Sequence, residues 1–444
     1  MINREVRTKN TMDINRKTAY LTLLKIETEE AYSNIELNHQ IRKNRPDQPA
    51  FVRELTYGTL RWKYTLDHYL NQLVSKGFRK LKPDVLTILR MGAYQIAYMD
   101  SVPDYAALDE SVRLAKKYCR GRDRFVNGVL RNFLRRRNEL PGPETLPDPV
   151  ERLSAMYSFD PWITALWTEQ MGIEKAASVM AASCRTPDLT ICVNRTKMSS
   201  AALRRQLEEA GCETVKGEVS PRILHVKGSG ILDGELFREG CFFVQDEASA
   251  SAVEALAPRP GELILDVCAA PGGKSMTAAE LMHNAGTVRA FDLYEHRAGL
   301  IGQEAERLGV SIVQTGVHDA TRVMEEYRGQ ADRVICDVPC SGLGVLRKKP
   351  EIKYRKIPDE GASLTKVQYN ILQAAAVCVK PGGFLMYSTC TIHHRENEDI
   401  SRRFLKEHPA FLRVTERQLL PDEHDTDGFY YCVMKREEDG IEPE

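Results

Sequence analysis

Asp266-Val267-Cys268-Ala269-Ala270-Pro271-Gly272-Gly273-Lys274-Ser275 is the stretch on which the fold turns. The apolar residues at 263–267 read as a short buried strand, and the residues after the stretch open a helix. Small side chains and two glycines let the backbone pass close to a ligand, and the helix presents N–H groups that have no intrahelical acceptor. Spacing excludes two familiar phosphate loops. Gly273-Lys274-Ser275 matches the end of a Walker A loop, but the first glycine of that loop would fall at position 268, which is Cys. Nor does the stretch contain Gly-x-Gly-x-x-Gly.

Further strands are expected at 287–292, 311–314, 333–337, 383–388 and 429–434, with helical stretches between them. That rhythm predicts a parallel α/β sheet of Rossmann-like type, which binds ligands beyond the carboxyl ends of its strands. Asp292, nineteen residues past Gly273, ends the second strand, where a carboxylate is placed for ribose hydroxyls. Asp319 follows the third strand and Asp337 ends the fourth. One such aspartate alone is ordinarily a solvated loop residue. The ordered set of 266, 292, 319 and 337 reads instead as the rim of a nucleoside-cofactor crevice. Its negative charge disfavours a polyphosphate and suits a cation such as the sulfonium of S-adenosylmethionine.

Two cysteines sit just past expected strand ends, in Asp337-Val338-Pro339-Cys340-Ser341-Gly342 and Tyr387-Ser388-Thr389-Cys390-Thr391. Cys184, Cys192, Cys212, Cys241, Cys336 and Cys378 read as small buried hydrophobes. Eleven cysteines without a C-x-x-C pair argue against a disulfide framework and for a reducing cytoplasm. Only His393 and His394 keep a metal in view, and zinc needs about four ligands, so no metal is assigned. Nucleophilic thiol chemistry is the stronger reading. Carbon 5 of a pyrimidine is a poor nucleophile until a thiolate adds at C6, and a thiol with pKa near 8.5 must be activated to do so. Asp337 is placed to hold the N3/N4 edge of the ring.

The chain has 444 residues, enough for two to four domains, and no run reaches the ~18 apolar residues of a membrane span. Met1–Asn10 carries Arg4, Arg7 and Lys9 with no apolar core behind them, so it does not read as a secretory signal. A net charge of zero conceals an asymmetry. Residues 1–140 hold 27 Lys and Arg against 16 Asp and Glu, a net of +11, and the remainder carries −11. A basic front suggests a polyanionic partner. It is expected to be helical: Pro83 opens one helix, and 123–137 carries an apolar stripe of Phe125, Val126, Val129, Leu130, Phe133 and Leu134. Arg124, Arg131 and Arg135 fall within about 40° of one another opposite that stripe, and read as RNA contacts. The expected organisation is an all-α domain at 1–140, a proline-rich linker at 141–150, a small α+β module at 151–240 and a Rossmann-like domain at 241–436. Within the module, 163–180 is expected to be helical.

DVCAAPGGKS, DVPCSG and YSTCT together resemble the motifs of the two-cysteine RNA cytosine-C5 methyltransferases. The front, with Val102-Pro103-Asp104-Tyr105-Ala106-Ala107 and Phe125-Val126-Asn127-Gly128-Val129-Leu130-Arg131, is similar to a NusB-like RNA-binding domain. The whole chain looks like the RsmB/Sun (Fmu) family of 16S ribosomal RNA cytosine-C5 methyltransferases. The resemblance implies Cys390 as nucleophile and Cys340 as the thiol that assists release of methylated RNA. It also implies S-adenosylmethionine held by Cys268, Ala269, Ala270, Pro271, Gly272, Gly273 and Lys274 with Asp292, Asp319 and Asp337, and Lys274 within reach of the target base. It further implies a monomer acting on 16S rRNA. Two alternatives remain: the same chemistry on tRNA or another RNA, and a non-catalytic NusB-like RNA-binding or transcription factor.

Overall fold

The computed structural model describes residues 12–75, 77–355 and 361–438. Arg4, Arg7 and Lys9 of the basic front lie outside these. The chain divides into two compact units, the first comprising Met1–Cys184 with Leu346–Arg355 and the second Arg185–Val345 with Lys356–Glu444.

The first unit is helical. Proline occupies the first turn of helices Pro49–Arg61, Pro83–Tyr98, Pro149–Tyr157 and Pro161–Met171, where its missing N–H has no cost. Helix Pro83–Tyr98 is buried nearly all round and forms the axis of the core, with Leu37, Leu55, Leu89, Val126 and Leu130 packed in the same cluster. Helix Asp123–Arg136 turns Val126, Val129, Leu130 and Phe133 inward, as its periodicity predicts.

Three features of this unit go beyond the sequence reading. The proline-rich stretch lies within this unit, and its Pro149 starts a helix whose N-cap, Asp148, accepts the Glu151 N–H at 2.7 Å. Residues 163–180 form two helices, Pro161–Met171 and Ile173–Ser183, because Gly172 breaks the run at φ +81°. Leu346–Arg355, far along the chain, completes the unit. Glu351 accepts from the N–H and hydroxyl of Ser33 at 3.1 and 2.6 Å, and the buried Lys353 ammonium reaches the carbonyls of Arg61 and Tyr157.

Among its described residues the second unit carries eleven strands: β1 Leu189–Val193, β2 Glu213–Lys216, β3 Ile223–Lys227, β4 Phe242–Val244, β5 Leu263–Asp266, β6 Thr287–Asp292, β7 Val313–Val317, β8 Ala331–Asp337, β9 Val379–Thr389, β10 Phe411–Leu419 and β11 Phe429–Arg436. β1 to β4 form a small antiparallel sheet in the order β2-β3-β1-β4. The other seven form the order β10-β11-β9-β8-β5-β6-β7, in which β5 to β9 are parallel and β10 and β11 antiparallel. This is a Rossmann-like sheet with the sequence-predicted strands in it, plus β10. β5, β6, β8 and β9 end at Asp266, Asp292, Asp337 and Thr389, so their carboxyl ends share one edge. The central strands are buried on both faces, Ile264, Leu265, Val334 and Ile335 being fully covered.

Candidate active site

The loop after β5 enters helix Gly273–Leu281, and Gly272 takes φ +112°, a conformation that favours glycine. Gln245 and Asp246 after β4, Asp266 to Lys274, Asp337, Val345, Cys390 and the pair Asp427 and Phe429 surround a cavity of about 280 Å³. Three of the sequence motifs therefore meet in one hollow. Cys268, Ala269, Ala270, Pro271, Gly273 and Lys274 line it, whereas Gly272 does not.

Asp337 is held on both oxygens: Lys274 Nζ donates to Oδ2 at 2.7 Å and the Ser388 hydroxyl donates to Oδ1 at 2.8 Å. Burial works against the charge on Lys274, but Asp337 and its hydrogen bond outweigh it and hold the ammonium pKa above its ordinary value. The same ammonium stands 4.9 Å from the centre of the Phe429 ring. Asp266 is fully buried, with Ser275 Oγ donating at 2.6 Å; burial pushes its carboxyl up to about 7.

Cys340 Sγ and Cys390 Sγ lie 3.3 Å apart, and both residues are partly exposed. The hydrogen bond with Cys390, followed by burial, raises the Cys340 thiol well above its ordinary value. The loops bearing the two thiols are fastened together. Ser341 and Thr391 hydroxyls meet at 2.7 Å, and the Gly344 N–H donates to the Cys390 carbonyl at 3.0 Å. Buried Glu396 accepts from the Ser341 N–H at 2.9 Å and from Gln368 at 2.8 Å. Buried Asn397 donates to the Thr391 carbonyl at 3.1 Å and accepts from Thr389 at 2.5 Å.

Two of the aspartates stand away from the hollow. Asp292 accepts the Tyr294 N–H at 3.3 Å and pairs with Arg297 at 3.4 Å, while Arg297 also donates to the Ala270 carbonyl of the loop. Asp319 is folded onto its own turn, accepting from the Thr321 hydroxyl and N–H at 2.7 and 3.0 Å, and these bonds lower its pKa. Neither lines the cavity. Arg124, Arg131 and Arg135 are exposed on one helix of the first unit. Among the described residues no group of three or more His, Cys, Asp or Glu could hold a metal ion. Gln245, Asp246 and Val345 were missed because they belong to no loop of recognisable chemistry. The adjacent Asp427-Gly428-Phe429, at the start of the last strand, carried a usable signal.

A seven-stranded Rossmann-like sheet with this loop, joined to a helical NusB-type unit, defines a methyltransferase architecture. Comparison with known proteins agrees. Residues 253–435 match the model of the 16S rRNA methyltransferase RsmB/F family, 13–135 the NusB family, and 159–231 the ferredoxin-like domain of RsmF/B-like methyltransferases. The chain is 38% identical to the probable ribosomal RNA small subunit methyltransferase B of Bacillus subtilis, over 95% of this chain and 98% of that protein. It is 31% identical to the ribosomal RNA small subunit methyltransferase B of Vibrio cholerae, over 91% and 95% of the two. The solved structure of PH0851 superposes with a TM-score of 0.81 at 26% identity, covering 97% of this chain and all of that one. The fold of NSun6 from Pyrococcus horikoshii, solved with SFG, covers 62% of this chain and 97% of that one with a TM-score of 0.55 at 19% identity. The chain belongs to the RsmB/F family of 16S rRNA methyltransferases.

Proposed function

We propose that the protein transfers a methyl group from S-adenosylmethionine to carbon 5 of a cytosine in 16S rRNA, with Cys390 as nucleophile. The observation that carries this is the pair of thiols 3.3 Å apart, one of which lines the same hollow as the Lys274–Asp337 pair and the glycine loop. The hollow also fits the donor. Gln245 Nε2 is a buried donor without a partner among the described residues, and the acids Asp246, Asp337 and Asp427 complement a cationic ligand. Residues 268–274 and Asp337 would hold it, with Asp292 tied to the loop through Arg297. When bound, S-adenosylmethionine supplies an electrophilic methyl carbon.

The remaining chemistry is done by side chains. Cys390 sulfur forms a bond to C6, and the C5–C6 π pair becomes nucleophilic at C5. Asp337, fixed by Lys274 and Ser388, holds the N3/N4 edge of the ring, and Lys274 lies within reach of the base. After C5 has gained carbon, its proton passes to a base, the C5–H electron pair re-forms the C5–C6 double bond, and the S–C6 bond breaks with its pair leaving on the Cys390 sulfur as thiolate. Cys340, beside the departing sulfur, assists that release. The base must leave its stack to present C6 to a thiol. Arg124, Arg131 and Arg135 would meet RNA phosphate. An rRNA substrate implies cytoplasmic work, and we take the chain to act as a monomer.

Bisulfite mapping of 16S rRNA incubated with the protein and S-adenosylmethionine tests the reading. One new protected cytosine is expected. Label incorporated without bisulfite protection would place the methyl group elsewhere than C5, and protection confined to tRNA would move the substrate.

A further inference from the structure

Cys340 is bracketed by two buried side chains that the mechanism leaves unused. Gln368, fully buried in helix Gly361–Ala376, donates its amide Nε2 to the Pro339 carbonyl at 3.0 Å and to Glu396 Oε2 at 2.8 Å. The same Oε2 accepts the Ser341 N–H at 2.9 Å. One backbone group on each side of Cys340 is thus held by a single pair of side chains. Glu396 is itself 3% exposed, and its carbonyl accepts the Tyr387 hydroxyl at 2.6 Å, which pins its backbone to β9. Neither side chain lines the hollow. A carboxylate is costly to bury, and the Ser341 N–H and the Gln368 amide are the donors that offset the cost here. An apolar pair would fill the same space without that cost but could hold neither a carbonyl nor an N–H. The bracket belongs to one thiol. Cys390 has other supports: Gly344 donates to its carbonyl, and Asn397 ties its neighbours Thr389 and Thr391.

On these grounds, and resting on the roles proposed above for the two thiols, we infer that Glu396 and Gln368 are positioning residues for Cys340, serving the release of methylated RNA and not the attack on the base. Both act through the backbone on either side of the thiol. Loosening the bracket lets Cys340 drift from the departing sulfur, 3.3 Å away, while Cys390 keeps its own supports. The step affected is the breakdown of the adduct, in which the C5 proton passes to a base and the S–C6 pair leaves on the Cys390 sulfur. Formation of the S–C6 bond is untouched.

Incubating the full chain with unmodified 16S rRNA and S-adenosylmethionine, and following the covalent adduct on denaturing gels, tests this. Glu396→Ala is expected to form adduct at a rate within about two-fold of the unaltered protein and to resolve it about 10- to 100-fold more slowly, the size of one hydrogen bond to a charged group. Adduct should therefore accumulate, as for Cys340→Ala. Glu396→Gln, whose amide oxygen can accept from both Ser341 and Gln368, should restore release to near the unaltered rate. A merely structural role would slow attack and release together and would show no such rescue. If Glu396→Ala does not fold, Gln368→Met, which frees the Pro339 carbonyl, supplies the same comparison. Adduct that resolves at the unaltered rate overturns the inference, and so does adduct formation lost along with release. Accumulation in Glu396→Gln as great as in Glu396→Ala also overturns it, and assigns the effect to the charge of the carboxylate. Absence of adduct in Cys340→Ala defeats the thiol roles themselves and this inference with them. Adduct that accumulates in Cys340→Ala but not in Glu396→Ala defeats the inference alone.

Discussion

Cys340 Sγ lies 3.3 Å from Cys390 Sγ although the residues are fifty positions apart and leave different strands, β8 and β9. Adjacent parallel strands bring their carboxyl ends together, Asp337 facing Ser388 in the register, so each thiol lies just past the end of its strand. The arrangement gives the two sulfurs unequal work. Cys340→Ala is expected to accumulate a covalent RNA–protein adduct on denaturing gels, since Cys390 attacks but release is slowed. Cys390→Ala should give no adduct and no turnover. The opposite pattern would reverse the two roles.

The carboxyl of Asp266, pushed up to about 7 by burial, makes a stability prediction. A raised folded-state pKa means that the native protein holds a proton which the unfolded chain releases near pH 4. Its contribution is fully present below that pH and is lost as pH rises through about 7, a swing of roughly 4 kcal/mol. Asp266→Asn cannot ionise. Its unfolding free energy relative to the unaltered protein should therefore rise between about pH 4 and pH 7 and then level off. Urea titrations at pH 5, 6, 7 and 8 would measure it, and a flat difference would refute the cause.

Lys274 and Asp337 are a partly shielded pair, with side chains 11% and 28% exposed. Solvent reduces their coupling, so a double-mutant cycle of Lys274→Met and Asp337→Asn should return about 1–2 kcal/mol by urea unfolding. Asp337→Asn should abolish adduct formation even where folding is retained, because the ring edge loses its carboxylate. A coupling near zero would mean that the 2.7 Å contact does not hold Asp337 in place.

How much of this was legible in the sequence follows from the range of each interaction. The strand–loop–helix at 263–281 and the inward stripe Val126, Val129, Leu130 and Phe133 are local patterns, and both read correctly. Edge strand β10 was missed because Phe411–Leu419 is half exposed and carries Arg413, Glu416 and Arg417, which mask its period. Gly172 breaks a helix that periodicity alone runs through. Leu346–Arg355 joins the first unit through Glu351, Lys353 and Tyr354, contacts whose partners are separated by hundreds of residues. Gln368 is of the same kind: its meaning depends on Pro339 and Glu396, which only folding brings beside it.

Gly344 is a position where a single methyl group should undo the site. A Cβ there would stand 1.7 Å from the Gly428 carbonyl oxygen, which is backbone and cannot rotate aside. Gly428 in turn donates its N–H to the Gly344 carbonyl at 2.9 Å, and Gly344 donates to Cys390. Gly344→Ala is expected to destabilise the protein by ~1–3 kcal/mol, as overpacking does, and to displace Cys390. A lowered melting temperature and lost adduct formation in a variant that still folds would be the signature. Normal adduct yield would mean that the loop absorbs the shift.

The arginines of helix Asp123–Arg136 differ from every residue above in acting at long range. Arg124, Arg131 and Arg135 are exposed, and Arg135 donates to the Asn132 side-chain oxygen at 2.9 Å. Phosphate contact by such groups releases counterions, so affinity falls with salt on a slope of about −0.7 per phosphate for single strands. Replacing all three by Ala should weaken RNA binding at low salt and reduce the logarithmic salt slope by roughly 2. Melting should scarcely change, because their side chains contribute nothing to the apolar stripe beneath. Filter binding of 16S rRNA across a salt series measures both quantities. A uniform loss of affinity with an unaltered slope would mean that these charges are solvated ornaments of the helix and that RNA docks elsewhere.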